Sequence, residues 1–143
     1  MNKLAIVFWS GTGNTEKMAS CIAEGAEAAA CEVKLFSPSE FSAAQLNEYD
    51  VIAFGCPSMG TEQLEESEFE PMFAGLEHSL SGKKIALFGS YGWGDGQWMR
   101  DWCERCSGVH ANLYDEEGLV VNDAPDSQGQ DACRELGRNL ATW

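Results

Sequence analysis

Apolar positions along the chain fall into two alternating textures. Short runs rich in β-branched and aromatic residues, "KLAIVFW" from Lys3, "EVKLF" from Glu32, "VIAFG" from Val51 and "KIALFG" from Lys84, have the pattern of strands buried within a parallel sheet. A fifth strand is expected within residues 110–121, "HANLYDEEGLVV". Between these runs the apolar residues recur at helical spacing. Met18, Ala19, Ile22, Ala23 and Ala26 form one such face, and Cys133, Leu136 and Leu140 form another. Helices are also predicted over 65–79 and 97–107, with a shorter one over 42–46.

Strands alternating with helices predict an α/β, doubly wound parallel sheet with helices on both faces. Ligands of such sheets bind beyond the carboxyl ends of the strands, where the strand order reverses. Three loops leave those ends: "SGTGNT" (10–15), "CPSMGTEQ" (56–63) and "SYGWGDG" (90–96). A single site drawing on all three is expected.

The first loop carries the clearest chemistry. Gly11 and Gly13 allow a tight turn and close approach to a ligand, and the following helix presents unpaired N–H groups at its positive end. The hydroxyls of Ser10, Thr12 and Thr15 add donors for phosphate oxygens. No lysine or arginine lies in the loop. The spacing excludes G-x-x-x-x-G-K-[ST], and Glu16 stands where the dinucleotide fingerprint needs its third glycine. A phosphatase loop, framed by cysteine and arginine, is also absent. The residues themselves leave two uses open, a capped strand–helix turn or a monophosphate cradle. Their place between the first strand and an amphipathic helix favours the cradle.

The chain has 143 residues, 23 acidic against 9 basic, and a formal charge of −14. Its size suits one compact domain spanning 1–143. Such a surface repels nucleic acid and anionic lipid and attracts basic proteins. The longest uninterrupted apolar run, residues 4–9, is too short for a membrane span or a signal-peptide core, so a cytoplasmic location is expected. Six irregularly spaced cysteines fit reduced thiols there.

"SGTGNT" matches [ST]-x-T-G-x-T, the phosphate-loop pattern of flavodoxins, and its position after the first strand also resembles theirs. "EESEFEPMF" and "KKIALFGSYGWGDG" resemble the short-chain, clostridial-type members, and the similarity runs over essentially the whole chain. The resemblance implies a five-stranded parallel sheet of order 2-1-3-4-5 holding one FMN non-covalently. Residues 110–126 leave no room for the segment that interrupts the fifth strand of long-chain relatives.

The resemblance also implies the site. Ser10, Gly11, Thr12, Gly13, Asn14 and Thr15 would hold the FMN phosphate. Pro57, Ser58, Met59, Gly60, Thr61 and Glu62 would lie along the reactive edge of the flavin, Met59 against one ring face and Glu62 accepting from the ring N3–H. From the third loop, Ser90, Tyr91, Gly92, Trp93, Gly94 and Asp95 would contribute backbone donors and an indole stacked on the other face. Asn122 and Asp123 are secondary candidates for the ribityl chain. Thr61 departs from the clostridial pattern, which has aspartate there. Threonine resists positive φ, so the turn is expected to place that demand on Gly60, favouring the form whose carbonyl accepts from flavin N5–H.

The missing counter-charge then has a purpose. An electron carrier that releases its second electron at low potential gains from negative charge near the ring, here the uncompensated phosphate with Glu62, Glu65, Glu66 and Asp95. One charge at about 10 Å and an effective dielectric near 20 contributes about 1.5 kcal/mol, on the order of 60 mV for one electron. Lys17 offsets part of it.

Other signals are discounted. "CERC" at 103–106 lies late in a helix, facing the sheet, with no second pair to complete a zinc site. Cys56, Trp98, Trp102 and Trp143 read as packing, and His78 and His110 stand alone. The expectation is a monomeric electron carrier serving basic redox partners. An FMN-dependent quinone reductase of the same fold, a ribonucleotide-reductase activator and a non-redox phosphate-binding module are the alternatives.

Overall fold

The computed structural model describes residues 2–143. Strands β1 (Lys3–Phe8), β2 (Glu32–Phe36), β3 (Val51–Gly55) and β4 (Lys84–Tyr91) run parallel in the order β2-β1-β3-β4. The fifth position holds two short segments, β5 (Asn112–Leu113) and β6 (Leu119–Asn122), each parallel to β4. Helices α1 (Asn14–Ala28), α2 (Phe69–Leu76), α3 (Gln97–Gly108) and α4 (Ser127–Thr142) cover the sheet.

Alternation along each strand divides the core into two layers. Leu4, Ile6, Val51, Ala53, Ala86 and Phe88 pack with Met18, Ile22 and Ala26 of α1 and Leu136 and Leu140 of α4. Ala5, Val7, Ile52, Phe54, Ile85 and Leu87 pack with Phe69 and Phe73 of α2 and Trp98, Met99 and Trp102 of α3. Both faces of the central strands are therefore apolar, as their sequences require. The expected sheet order holds, with β1 and β3 flanking the point where it reverses.

Three elements differ from the sequence expectation. The fifth strand is broken at 114–118, where a 3₁₀ turn (Tyr114–Glu116) carries left-handed backbone at Asp115 and Glu116, both with φ +58°. The helix expected over 65–79 spans only Phe69–Leu76 and continues as a 3₁₀ turn, Glu77–Ser79. Glu65 is buried before that helix and accepts hydrogen bonds from the N–H groups of Ser67, Glu68 and Phe69 at 2.8–2.9 Å, so it caps the helix from outside. The short helix near 42–46 is a 3₁₀ helix over Ala43–Glu48, opened by a Ser42–Gln45 capping box.

Candidate cofactor site

The loops after β1, β3 and β4 converge on a cleft of about 240 Å³ lined by Ser10, Gly11, Thr12, Asn14, Thr15, Pro57, Ser58, Met59, Ser90, Tyr91 and Gly92. Two further residues complete its wall, Trp9 and Asp123. Asp123 follows β6 in a left-handed conformation and donates its N–H to the Tyr91 carbonyl at 2.8 Å. Asn122 donates its side-chain amide to that same carbonyl.

In the first loop Ser10 Oγ accepts from the N–H groups of Gly13 and Glu16, both at 3.2 Å, and its own proton is left for another acceptor. Among the described residues the N–H groups of Gly11, Thr12, Asn14 and Thr15 have no acceptor. Four amides and three hydroxyl-bearing side chains thus surround the start of α1, the disposition an anion requires. Thr15 is fully buried and its Oγ1 lies 3.1 Å from Ser90 Oγ, which binds the first loop to the end of β4.

The second loop joins the same framework through the Ser58 N–H, which donates to the Ser90 carbonyl at 3.0 Å. Beyond it Met59 and Gln63 exchange two backbone hydrogen bonds and close a three-residue tip, Gly60-Thr61-Glu62. The left-handed positions of this tip are Gly60 and Glu62, each with φ +54°, and Thr61 is spared. Glycine meets that demand without a Cβ penalty.

Met59 is 36% exposed and Trp93 61% exposed. Trp93 is therefore no core residue but an indole presented to solvent on the third loop, directly after the lining residue Gly92. Gly60, Thr61, Glu62, Trp93, Gly94 and Asp95 are not among the residues lining the cleft, and Gly13, with φ +96°, forms the turn into α1. The Asp95 carboxylate pairs with Arg100 at 2.9 Å, which offsets the negative charge expected from it.

No lysine or arginine lines the cleft among the described residues. The cysteines are no better suited to chemistry here. Burial pushes the Cys56 thiol up to about 12, and Cys106 likewise. No cluster able to hold a metal ion occurs among the described residues.

A family model described as Flavodoxin matches residues 6–137. The chain belongs to the flavodoxin family. It is 48% identical over 138 residues to the flavodoxin of Clostridium beijerinckii, covering 96% of this chain and 99% of that protein. It is 43% identical over 136 residues to that of Megasphaera elsdenii, covering 95% and 96%. The solution structure of two-electron reduced Megasphaera elsdenii flavodoxin is similar with a TM-score of 0.89 and 42% identity, over 98% of this chain and 99% of that one. As a short-chain flavodoxin the protein is an FMN-binding electron carrier.

The cleft suits FMN on its own evidence. Ser58 Oγ, on the cleft wall, is buried and has no hydrogen-bond partner in the protein. Such an atom needs an acceptor or donor from a bound molecule. Together with the free amides and hydroxyls it supplies neutral donors for a phosphate and a polyol. Trp9 escaped sequence reasoning because it closes an apolar run and reads as strand. Its ring lies under Gly11, where a Cβ would come within 2.9 Å of it.

Proposed function

We propose that residues 1–143 act as one FMN-binding domain, a monomeric cytoplasmic shuttle that exchanges electrons with basic partner enzymes and turns over no substrate of its own. FMN supplies one-electron redox chemistry when bound. Ser10, Gly11, Thr12, Gly13, Asn14 and Thr15 would hold its phosphate. Pro57, Ser58, Met59, Gly60, Thr61 and Glu62 form one side of the ring site, and Ser90, Tyr91, Gly92, Trp93, Gly94 and Asp95 form the other. The carrying observation is the cleft itself, built from neutral donors without a cation and lined in part by the exposed Met59 side chain, with the exposed Trp93 next along the chain from the lining residue Gly92.

This chain's residues set the conditions of transfer rather than the chemistry. Amides and hydroxyls, with no lysine or arginine on the cleft wall, would solvate a bound phosphate and leave its charge uncompensated. Asp123 on the cleft wall adds negative charge. Glu65 contributes less than its sequence position suggests, because three N–H groups and the Ser67 hydroxyl share its charge. A net charge of −14 draws basic proteins toward the exposed edge by long-range attraction. No helix among the described residues is long and apolar enough to cross a membrane.

The test is twofold. Visible spectra recorded during stepwise reduction of FMN-loaded protein must resolve two one-electron steps, and steady-state oxidation of NAD(P)H by the pure protein must be negligible. Reduction by a basic redox protein should slow steeply between low and physiological salt as the attraction is screened. A flat salt profile removes the basic-partner reading, and brisk NAD(P)H turnover identifies an enzyme instead.

A further inference from the structure

Glu62 occupies a conformation that a glutamate seldom adopts. Its φ is +54°, in the left-handed region where a Cβ crowds the backbone. The residue is kept there from both sides. The Met59–Gln63 hydrogen bonds fix the loop that carries it, and its side chain reaches another element altogether. Glu62 Oε1 accepts the backbone N–H of Gln97, the first residue of α3, at 3.0 Å across 35 positions of sequence.

The partner is suited to the role. N–H groups in the first turn of a helix have no intrahelical acceptor, and the helix dipole favours a carboxylate there. Space for the contact is built into the neighbouring loop. A Cβ at Gly94 would lie 2.7 Å from Cδ and Oε1 of Glu62, so any larger residue there would collide with the carboxylate. The same loop is fastened a second time, by Arg100 of α3, which donates to the Asp95 carbonyl at 3.0 Å and to its carboxylate at 2.9 Å.

The two loops joined in this way carry Met59 and Trp93. We propose that Glu62 is a positioning residue, whose carboxylate latches the 59–63 hairpin to the amino-terminus of α3 and fixes the spacing of Met59 and Trp93 before FMN arrives. The first half of this statement concerns the protein alone, and the second rests on the FMN reading above. One carboxylate oxygen serves the latch. The other, Oε2, accepts no hydrogen bond from the described residues and remains for a donor on the cofactor ring. Preorganising two loops lowers the ordering cost of binding.

The experiment is solvent exchange of the Gln97 amide, followed by NMR in the full chain without FMN and repeated as FMN is titrated in. Glu62→Ala should accelerate Gln97 exchange by about tenfold and broaden the Trp93 indole resonance, with the Asp123 amide unaffected. Glu62→Gln keeps an acceptor oxygen and should restore most of the protection. A Gln97 amide that exchanges equally fast in wild type and Glu62→Ala overturns the latch. Loss of protection in Glu62→Gln equal to that in Glu62→Ala overturns it as well. Wild-type protein that takes up no FMN would remove the cofactor reading and leave the Gln97 result standing, so the two failures are distinct.

Discussion

Thr15 Oγ1 and Ser90 Oγ lie 3.1 Å apart in a position closed to solvent, 75 residues apart in sequence. This one contact joins the first turn of α1 to the carboxyl end of β4 and holds two of the three site loops in register. Thr15→Val keeps the shape and strands the Ser90 hydroxyl in a buried setting, at a cost of about 1–2 kcal/mol. The loss is measurable by urea unfolding without FMN. Combining it with Ser90→Ala removes both polar partners and should recover part of the stability, so the pair is non-additive.

Ser58 should show opposite signs in the two states. Its Oγ is buried without a partner in the protein, so Ser58→Ala should raise the stability of the FMN-free chain by about 1 kcal/mol. On the proposed FMN site the same change would remove a cofactor contact and should weaken FMN binding about fivefold. Thermal unfolding without FMN and calorimetric titration with it make the comparison. Movement of both quantities in the same direction would remove Ser58 from the FMN contact set.

Trp93 is 61% exposed, so its side chain contributes little to folding. Trp93→Ala should leave the unfolding midpoint of the FMN-free chain unchanged and weaken FMN binding by about 1–2 kcal/mol. Quenching of flavin fluorescence during titration reads the affinity. Trp93→Phe keeps an aromatic face and should retain most of it.

Acid stability should depend on Glu65. Burial by itself would raise the pKa of this carboxyl, but hydrogen bonds from the Ser67 hydroxyl and from the N–H groups of Phe69, Glu68 and Ser67 outweigh it and hold the group below the usual carboxylate range. A depressed folded value means that its stabilisation is complete above the ordinary glutamate pKa of about 4.5. It is lost as pH falls through the folded value. Glu65→Gln should therefore lower stability at pH 7 and flatten the fall in stability between pH 5 and the acid limit, roughly as linkage requires. Glu77, held down by Arg105, keeps part of that fall in the variant. Urea midpoints measured at successive pH values check both effects.

Much of the fold was legible because its signals are local. Residues 51–55 are apolar at every position and can only sit inside a two-sided sheet, and Met18, Ile22 and Ala26 define a face by spacing alone. Boundaries were less legible where a side chain competed with the backbone. The residues from Glu65 to Glu68 look helical in isolation, yet the Glu65 carboxylate takes the amides that a helix would have used. The break in the fifth strand depends on left-handed backbone at Asp115 and Glu116, two acidic residues with no glycine between them to announce it.

By itself the sequence determined the alternation of strands and helices and the chemical kind of the site: loops of glycine and hydroxyl residues without a cation, and an aromatic set between glycines. The strand order came from the family resemblance. Periodicity, turn chemistry and residue type act over a few positions, so a linear reading captures them. Tertiary structure alone decided which of those groups are already engaged. Ser90 takes the Thr15 hydroxyl, Gln97 takes the Glu62 carboxylate, Arg100 neutralises Asp95, Trp9 slides beneath Gly11, and Ser58 is left unpartnered. Hydrogen bonding, ion pairing and packing depend on distance in space, and folding brings together residues that lie far apart along the chain.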